Sequence, residues 1–367
     1  MINPHCFQLP WLQAQKERLG VRDVGLLERC IHALELVARL RHAGLDFIFK
    51  GGTSLVLHLQ PLRRLSIDVD IACDATLEQI KRALDAVVYT GQPFNRYEHQ
   101  AWRDRDEPPT MHFQVFFNSV ANLGTVAHIL LDVLFEKSIY PELMEKELAA
   151  DFVLADGSTR VCTPTVDCLL GDKLAAFAPG TIGVPYEPPA TRAGASGDPQ
   201  HTRVAKQLYD VSELFAIARN LDAVRQTHEN IFEAQNRYRG HKHTLAETLL
   251  DTIDAAYWFS QRDLKHGEKH TKSDFLHQGI LNLDSHLLGN GLKMPAAKAA
   301  AARAACLAAM LLGNSRETLD EIRNGAKNPL QTSGNSLVGK YERLKSLRKI
   351  APEAYYYWSI ACGYLGG

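Results

Sequence analysis

Two adjacent glycines, Gly51 and Gly52, constrain what this chain can fold into more than any other feature. They end a short β-prone run, Leu45-Asp46-Phe47-Ile48-Phe49-Lys50, and lead into Thr53, a residue type that caps helices; the pattern carries that helix to about Leu59. Residues 65–72 then alternate apolar and polar side chains, as a half-buried strand does. Upstream, Leu26, Leu27, Ile31, Leu34, Leu36 and Val37 recur at helical spacing and mark an amphipathic helix over 24–40. Downstream, 77–88 reads as a helix, and 111–117 and 127–135 read as strands turning near Asn122-Leu123-Gly124. Helix, strand, helix, strand and hairpin in that order give an α+β domain and do not fit a doubly wound sheet.

After Pro164 the pattern turns helical. One helix covers 165–177 and stops at Pro179-Gly180; residues 181–202, rich in Pro, Gly, Ala and Ser, read as a long flexible loop. Further helices are expected at 208–218, 245–260, 296–312 and 341–348, and the alanine-rich run 296–309 suits close helix packing. A chain of 367 residues holds two domains of ordinary size. We place them at 1–160 and 161–367, with the loop at 179–203 inside the second.

The bulk properties exclude more than they assign. A net charge of −1 gives no global signal for nucleic acid, which leaves only a local basic face. Seven scattered cysteines without CxxC spacing argue for reduced thiols rather than a disulfide framework or a zinc site. No basic-then-apolar N-terminal segment and no apolar stretch near bilayer-spanning length stand out, so the expectation is a soluble, cytoplasmic protein with no membrane partner.

The chemistry sits around the double glycine. On a strand, Asp68 and Asp70 send both carboxylates to one face, with Cα atoms roughly 6.5–7 Å apart. That spacing suits a Mg²⁺ completed by substrate phosphates. Asp132, a lone acid within Ile129-Leu130-Leu131-Asp132-Val133-Leu134, is the candidate for a third carboxylate on a neighbouring strand. Gly51 and Gly52 let backbone approach a phosphate, Thr53 and Ser54 can donate hydrogen bonds to it, and Lys50, Arg63 and Arg64 can neutralise a triphosphate. Each feature alone has a plain alternative: a solvated acid pair, a turn with its cap, an edge-strand acid. Their order within one short stretch favours a phosphate-and-metal site.

At these residues the chain resembles the AbiEii/AbiGii-type nucleotidyltransferases, the toxin components of type IV-like toxin–antitoxin pairs, which include the MenT toxins. The family's Lys-Gly-Gly-Thr-Ser/Ala-Leu is matched by Lys50-Gly51-Gly52-Thr53-Ser54-Leu55, and its Arg-x-Ser-x-Asp-x-Asp by Arg64-Leu65-Ser66-Ile67-Asp68-Val69-Asp70. A helical Asp-Lys-Leu-x-Ala is matched by Asp172-Lys173-Leu174-Ala175-Ala176. A Lys/Arg-Asp-x-x-Asp-Leu helix is matched by Lys206-Gln207-Leu208-Tyr209-Asp210-Val211, with Gln207 in place of a frequent acid. The resemblance, over roughly residues 25–215, implies a polymerase-β-like core with a mixed sheet followed by a helical C-terminal domain. It implies that Asp68 and Asp70 bind Mg²⁺, that Gly52 and Ser54 hold phosphate, and that Lys173 contacts the nucleotide's phosphates. Asp210 would then position Lys173 or the substrate, or serve as an i,i+4 partner of Lys206. In MenT-like relatives the serine equivalent to Ser66 is phosphorylated; a phosphate there would add about −2 charge beside the metal-binding acids.

The implied reaction is transfer of NMP from an NTP to RNA, most naturally a tRNA 3′ end, inhibiting translation and growth under the control of a cognate antitoxin. Two other readings keep parts of this picture: a small-molecule acceptor, as in antibiotic nucleotidyltransferases, and a non-catalytic nucleotide-binding module. Several features stand outside it. His241-Lys242-His243 and the histidines at 266–270 lack ligand geometry, and His112 and His128 read as packed or hydrogen-bonded strand residues. Tyr355-Tyr356-Tyr357-Trp358 offers rings that can stack on RNA bases, but helix packing is the favoured reading. Lys340, Arg343, Lys345, Arg348 and Lys349 form the densest basic stretch and the best local candidate for RNA phosphate contact.

Overall fold

The computed structural model describes residues 1–100, 110–187, 199–289, 291–332 and 336–366. It divides into two compact units, Met1–Thr165 with Ser285–Gly291, and Val166–Asp284 with Leu292–Gly367. The return of Ser285–Gly291 to the first unit leaves no trace in local sequence pattern.

The first unit is built on a mixed seven-stranded sheet, the α+β core that the motif order predicts. Its strands are β1 (Ile48–Lys50), β2 (Val69–Ala72), β3 (Phe94–Gln100), β4 (Thr110–Asn118), β5 (Val126–Leu134), β6 (Leu143–Glu147) and β7 (Arg160–Pro164), in the order β3-β4-β5-β2-β1-β7-β6. β2 runs antiparallel to β1 and parallel to β5, while β4 pairs antiparallel with both β3 and β5. The helices are α1 (Leu9–Leu19), α2 (Val24–His42), α3 (Gly51–Ser54) and α4 (Leu77–Tyr89).

Three local expectations change. Only Val69–Ala72 of the 65–72 segment is strand; the preceding residues bond to the returning segment instead, with Leu65 N–H on His286 O at 2.8 Å and Leu288 N–H on Arg63 O at 2.9 Å. The helix after the glycines is one turn, Gly51–Ser54, followed by a 3₁₀ turn, Leu55–Leu57. And α2 is not amphipathic in use: fifteen of its residues are buried, among them Glu28, His32, Glu35 and Arg39. Strands β3 and β6 escape a pattern reading because their solvent faces leave little alternation: Phe94 alone is buried in Phe94–Gln100, and no residue of Leu143–Glu147 is.

Among its described residues the second unit is helical: α5 (Val166–Ala176), α6 (Gln200–Phe215), α7 (Leu221–Tyr238), α8 (Leu245–Ser260), α9 (Thr271–Leu283), α10 (Met294–Leu312), α11 (Leu319–Gly325), α12 (Pro329–Thr332), α13 (Leu347–Ile350) and α14 (Pro352–Leu365). The 341–348 helix is a 3₁₀ turn, Gly339–Leu344, followed by short α13. Of the expected loop at 179–203, residues 188–198 lie outside the described residues. Its start is anchored, since Asp251 accepts from Gly180 N–H at 2.7 Å and Thr181 Oγ1 at 3.1 Å. One helix, Met294–Leu312, does reach bilayer-spanning length and apolarity, with mean hydropathy 1.3. Because 78% of that window is buried inside the protein, it is a core helix, and its alanines hide its apolar length from the eye.

Candidate active site

Gly51 adopts φ +75°, a conformation open to glycine, and a Cβ there would lie 1.9 Å from Asp70 Oδ2. The first glycine is therefore required twice over, by its backbone and by the carboxylate pressed against it. At Gly52 a Cβ would lie 2.8 Å from Arg64 Nη2 and 2.9 Å from Ser66 Oγ. The double glycine thus lets the Arg64–Asp70 motif fold directly onto the turn.

The neighbouring hydroxyls do local work. Thr53 is not the cap: the helix starts at Gly51 with Lys50 in the cap position, and Thr53 Oγ1 donates to the backbone carbonyl of Asp68. Ser54 Oγ donates to Gly51 O at 2.9 Å. Both side chains are fully buried, so their hydrogen bonds fix the turn and the start of β2 rather than pointing to solvent. With only one helical turn, aligned peptide dipoles contribute little to anion binding, and what the turn offers a phosphate is close backbone approach. Arg64 is buried as well, its Nη1 donating to Leu65 O at 3.0 Å, and Ser66 is 8% exposed. Beneath them on α2, burial pushes the Cys30 thiol up to about 12, against the backbone of Ser66 and the charge of Arg64. Arg63 is exposed and Lys50 half-buried.

The sheet assembles the acids. Asp70 stands in register between Lys50 of β1 and Asp132 of β5. Adjacent strands lie about 4.8 Å apart, so the parallel pairing sets Asp70 and Asp132 side by side. Asp68 lies one residue ahead of β2 and is half-buried. Asp132 is held from the other side, with His112 Nδ1 2.6 Å from its Oδ1; His112 is nearly buried and Asp132 about a quarter exposed. The imidazole therefore orients one carboxylate oxygen of a side chain that stays partly exposed. His112 is the site residue that the sequence reading set aside. Its signal was there: pairing back from the turn near Asn122-Leu123-Gly124 places His112 opposite Asp132. His128 is packed, beside Phe116 with ring centroids 5.6 Å apart, and burial lowers its pKa.

Among the described residues no three His, Cys, Asp or Glu side chains are grouped closely enough to hold a metal by themselves. Carboxylates that take a hard cation jointly with substrate phosphates need no such cage, and half-buried acids set side by side against a glycine turn fit Mg²⁺ used that way.

In the helical unit, Lys173 of α5 reaches α6, with its Nζ 3.6 Å from Asp210 Oδ2 and 3.3 Å from Gln207 Oε1. All of this lies inside the unit, with Lys173 7% and Asp210 1% exposed. Asp210 thus partners Lys173 itself, and Gln207, the departure from the family pattern, still supplies an acceptor oxygen to the same ammonium.

Comparison with known proteins agrees with these motifs. The family model of the nucleotidyl transferase AbiEii toxin, type IV TA system, matches residues 35–279. Among solved structures the chain is similar to JHP933 from Helicobacter pylori, with 15% identity and TM-score 0.41 over 83% of this chain and 98% of that one. It is also similar to MenT4, the nucleotidyltransferase toxin Rv2826c from Mycobacterium tuberculosis H37Rv, with 14% identity and TM-score 0.49 over 91% of this chain and 92% of that one. No curated protein matches. The matched family span exceeds half of the chain and takes in the glycine turn, the three aspartates and the Lys173–Asp210 pair; the chain belongs to the AbiEii family of type IV toxin–antitoxin nucleotidyltransferases.

Proposed function

We propose that this toxin nucleotidyltransferase transfers NMP from an NTP to RNA, at the 3′ acceptor end of tRNA, and thereby halts translation and growth in the absence of its antitoxin. The observation that carries the reading is the strand register that sets Asp70 beside Asp132 while Gly51 takes up the Asp70 carboxylate. In this reading Asp68 and Asp70 hold Mg²⁺, which when bound neutralises triphosphate charge and stabilises the charge that builds on the phosphoryl oxygens. The turn at Gly51-Gly52 admits the phosphates against backbone, and Lys50, on the strand beside Asp70, adds positive charge. The acceptor hydroxyl oxygen attacks the α-phosphorus, its bond to the β-phosphate oxygen breaks, and pyrophosphate leaves. Asp132 Oδ2 takes the hydroxyl proton, while His112 keeps the carboxylate in place through Oδ1. Lys173, held by Asp210 and Gln207, contacts the nucleotide's phosphates.

Incubation with each labelled NTP, Mg²⁺ and total tRNA, resolved on a gel, tests the proposal. Label appears in tRNA with wild-type enzyme and is absent with Asp70→Ala. Label on an aminoglycoside and none on RNA would instead favour a small-molecule acceptor, and NTP binding without transfer to either would favour a non-catalytic role.

A further inference from the structure

Two basic segments far apart in sequence meet in the helical unit. Residues 262–272 and 339–350 together carry nine Lys and Arg against three Asp and Glu, in a chain whose 41 basic residues are otherwise outnumbered by its 42 acidic ones. The fold joins them: Arg343 Nη2 lies 2.8 Å from Glu268, and Tyr257 Oη donates to the backbone carbonyl of Lys340 at 2.8 Å. The Lys340 ammonium sits 5.1 Å from the Tyr257 ring and 5.3 Å from that of Tyr341. On the other segment, His270 stacks on half-buried Trp258 at 4.0 Å. The cations therefore stand on a pinned backbone and not on a loose tail.

Arg262, Lys272, Arg343 and Lys345 are ion-paired, and four of the nine cations are unspent. Lys265, Lys269, Arg348 and Lys349 are exposed and have no ion pair among the described residues. Like charges held together repel, so a fold that concentrates them on fixed backbone suits a polyanion that releases counterions on binding. Exposed apolar area is small, Ile350 at 48% and Val338 at 36% exposure, too little for the hydrophobic centre of a protein interface or for insertion into a bilayer.

We infer that this face, residues 262–272 with 339–350, binds the phosphodiester backbone of RNA and so docks the acceptor; the docking role rests on the RNA-acceptor reading above. The test uses the full chain and 5′-labelled deacylated tRNA in anisotropy titrations from 50 to 200 mM salt. The variant Lys265→Gln/Lys269→Gln/Arg348→Gln/Lys349→Gln removes only exposed, unpaired charge, and Lys81→Gln/Lys327→Gln serves as the control. Each lost phosphate contact lowers the slope of log K against log salt by about 0.7–0.9, so the quadruple variant should bind roughly tenfold more weakly with a slope lower by about 2 or more. NTP binding and kcat at saturating tRNA should be unchanged, with KM for tRNA raised; the control variant should match wild type. Wild-type affinity and slope in the quadruple variant would overturn the inference, as would loss of poly-glutamate binding alone, which would make the face a site for an acidic protein. Salt-dependent tRNA binding that the variant loses, in an enzyme that labels no RNA, would uphold the surface and sink the acceptor reading.

Discussion

Each unit has a nineteen-residue helix at its centre, and the two solve burial in opposite ways. In the sheet unit, α2 buries fifteen residues and carries charge inside. Glu35 and Arg39 pair at 2.8 Å, and the Arg39 guanidinium also takes the carbonyls of Val87, Gly91 and Gln92 and the Thr90 hydroxyl. Glu28 accepts from Ser119 Oγ and Val120 N–H, both at 2.6 Å. Each of these groups finds partners, which offset part of the cost of desolvating it, and the partners include the turns that lead into β3 and β5. Since β4 and β5 bring His112 to Asp132, the charges of α2 help set the register on which the site depends. In the helical unit, α10 buries fourteen residues, mostly alanines, which let neighbouring helices approach closely. Its one buried lysine, Lys298, donates to Ser260 O at 2.9 Å and to Arg262 O, and burial pushes its pKa down to about 8. The buried charges of α2 thus organise the turns of the sheet unit, whereas α10 packs its neighbours through small side chains and spends its single buried lysine on one turn.

Substitutions can break this contrast. The largest effects should fall on activity. Asp70→Ala should lose about a thousandfold or more in transfer rate, whereas His112→Ala, which removes only the orienting partner of Asp132, should lose about 10–100-fold. Lys173→Met, in the helical unit, should act chiefly on KM for the NTP; steady-state kinetics separates the three, and an unchanged KM would remove Lys173 from the nucleotide site. For stability, Arg39→Ala leaves Glu35 buried without its counter-charge, with only the Ile2 N–H still donating to it at 2.9 Å, and should cost about 3–5 kcal/mol. Lys298→Met should stay within about 1 kcal/mol, because relief of a buried charge offsets the lost hydrogen bonds. Hydrogen exchange read by peptide assigns each loss to its unit; equal effects of the two substitutions would end the distinction. Ala301→Leu, at a fully buried position of α10, should cost about 1–3 kcal/mol by overpacking, confined to the helical unit.

The smallest effects are those of pH. Burial pushes His32 and His58 in the sheet unit, and His228 in the helical unit, down to about 4. Between 4 and 6.5 the unfolded chain binds protons that the folded chain refuses, so their stabilisation is full above 6.5 and falls as pH drops toward 4. Tyr341, Tyr356 and Tyr357 are pushed up to about 12, mainly by burial, so the folded chain keeps protons that the unfolded chain has lost and stability falls from pH 10 toward 12. Tyr97 is the sheet unit's counterpart. Exchange profiles should therefore show acid loosening weighted to the sheet unit and alkaline loosening weighted to the helical one.

Much of this was legible in the chain itself. Gly51-Gly52, the spacing of Asp68 and Asp70, the lone Asp132 and the helical second half specify an α+β domain with a phosphate-and-metal site ahead of a helical region, because turn chemistry, strand alternation and helix periodicity are local properties; the nucleotidyltransferase assignment came from the family resemblance of the motifs. The Lys173–Asp210 pair was legible only through the family resemblance, since it joins two helices at long range. What the sequence could not determine is which distant groups complete each other. That Thr53 anchors Asp68 rather than capping a helix, that His286 and Leu288 clip Arg63 and Leu65, and that α2 keeps its charges inside all depend on partners at long range. A residue's type limits the bonds it can make, but burial decides which of them it must make, and burial exists only once the whole fold has closed around it.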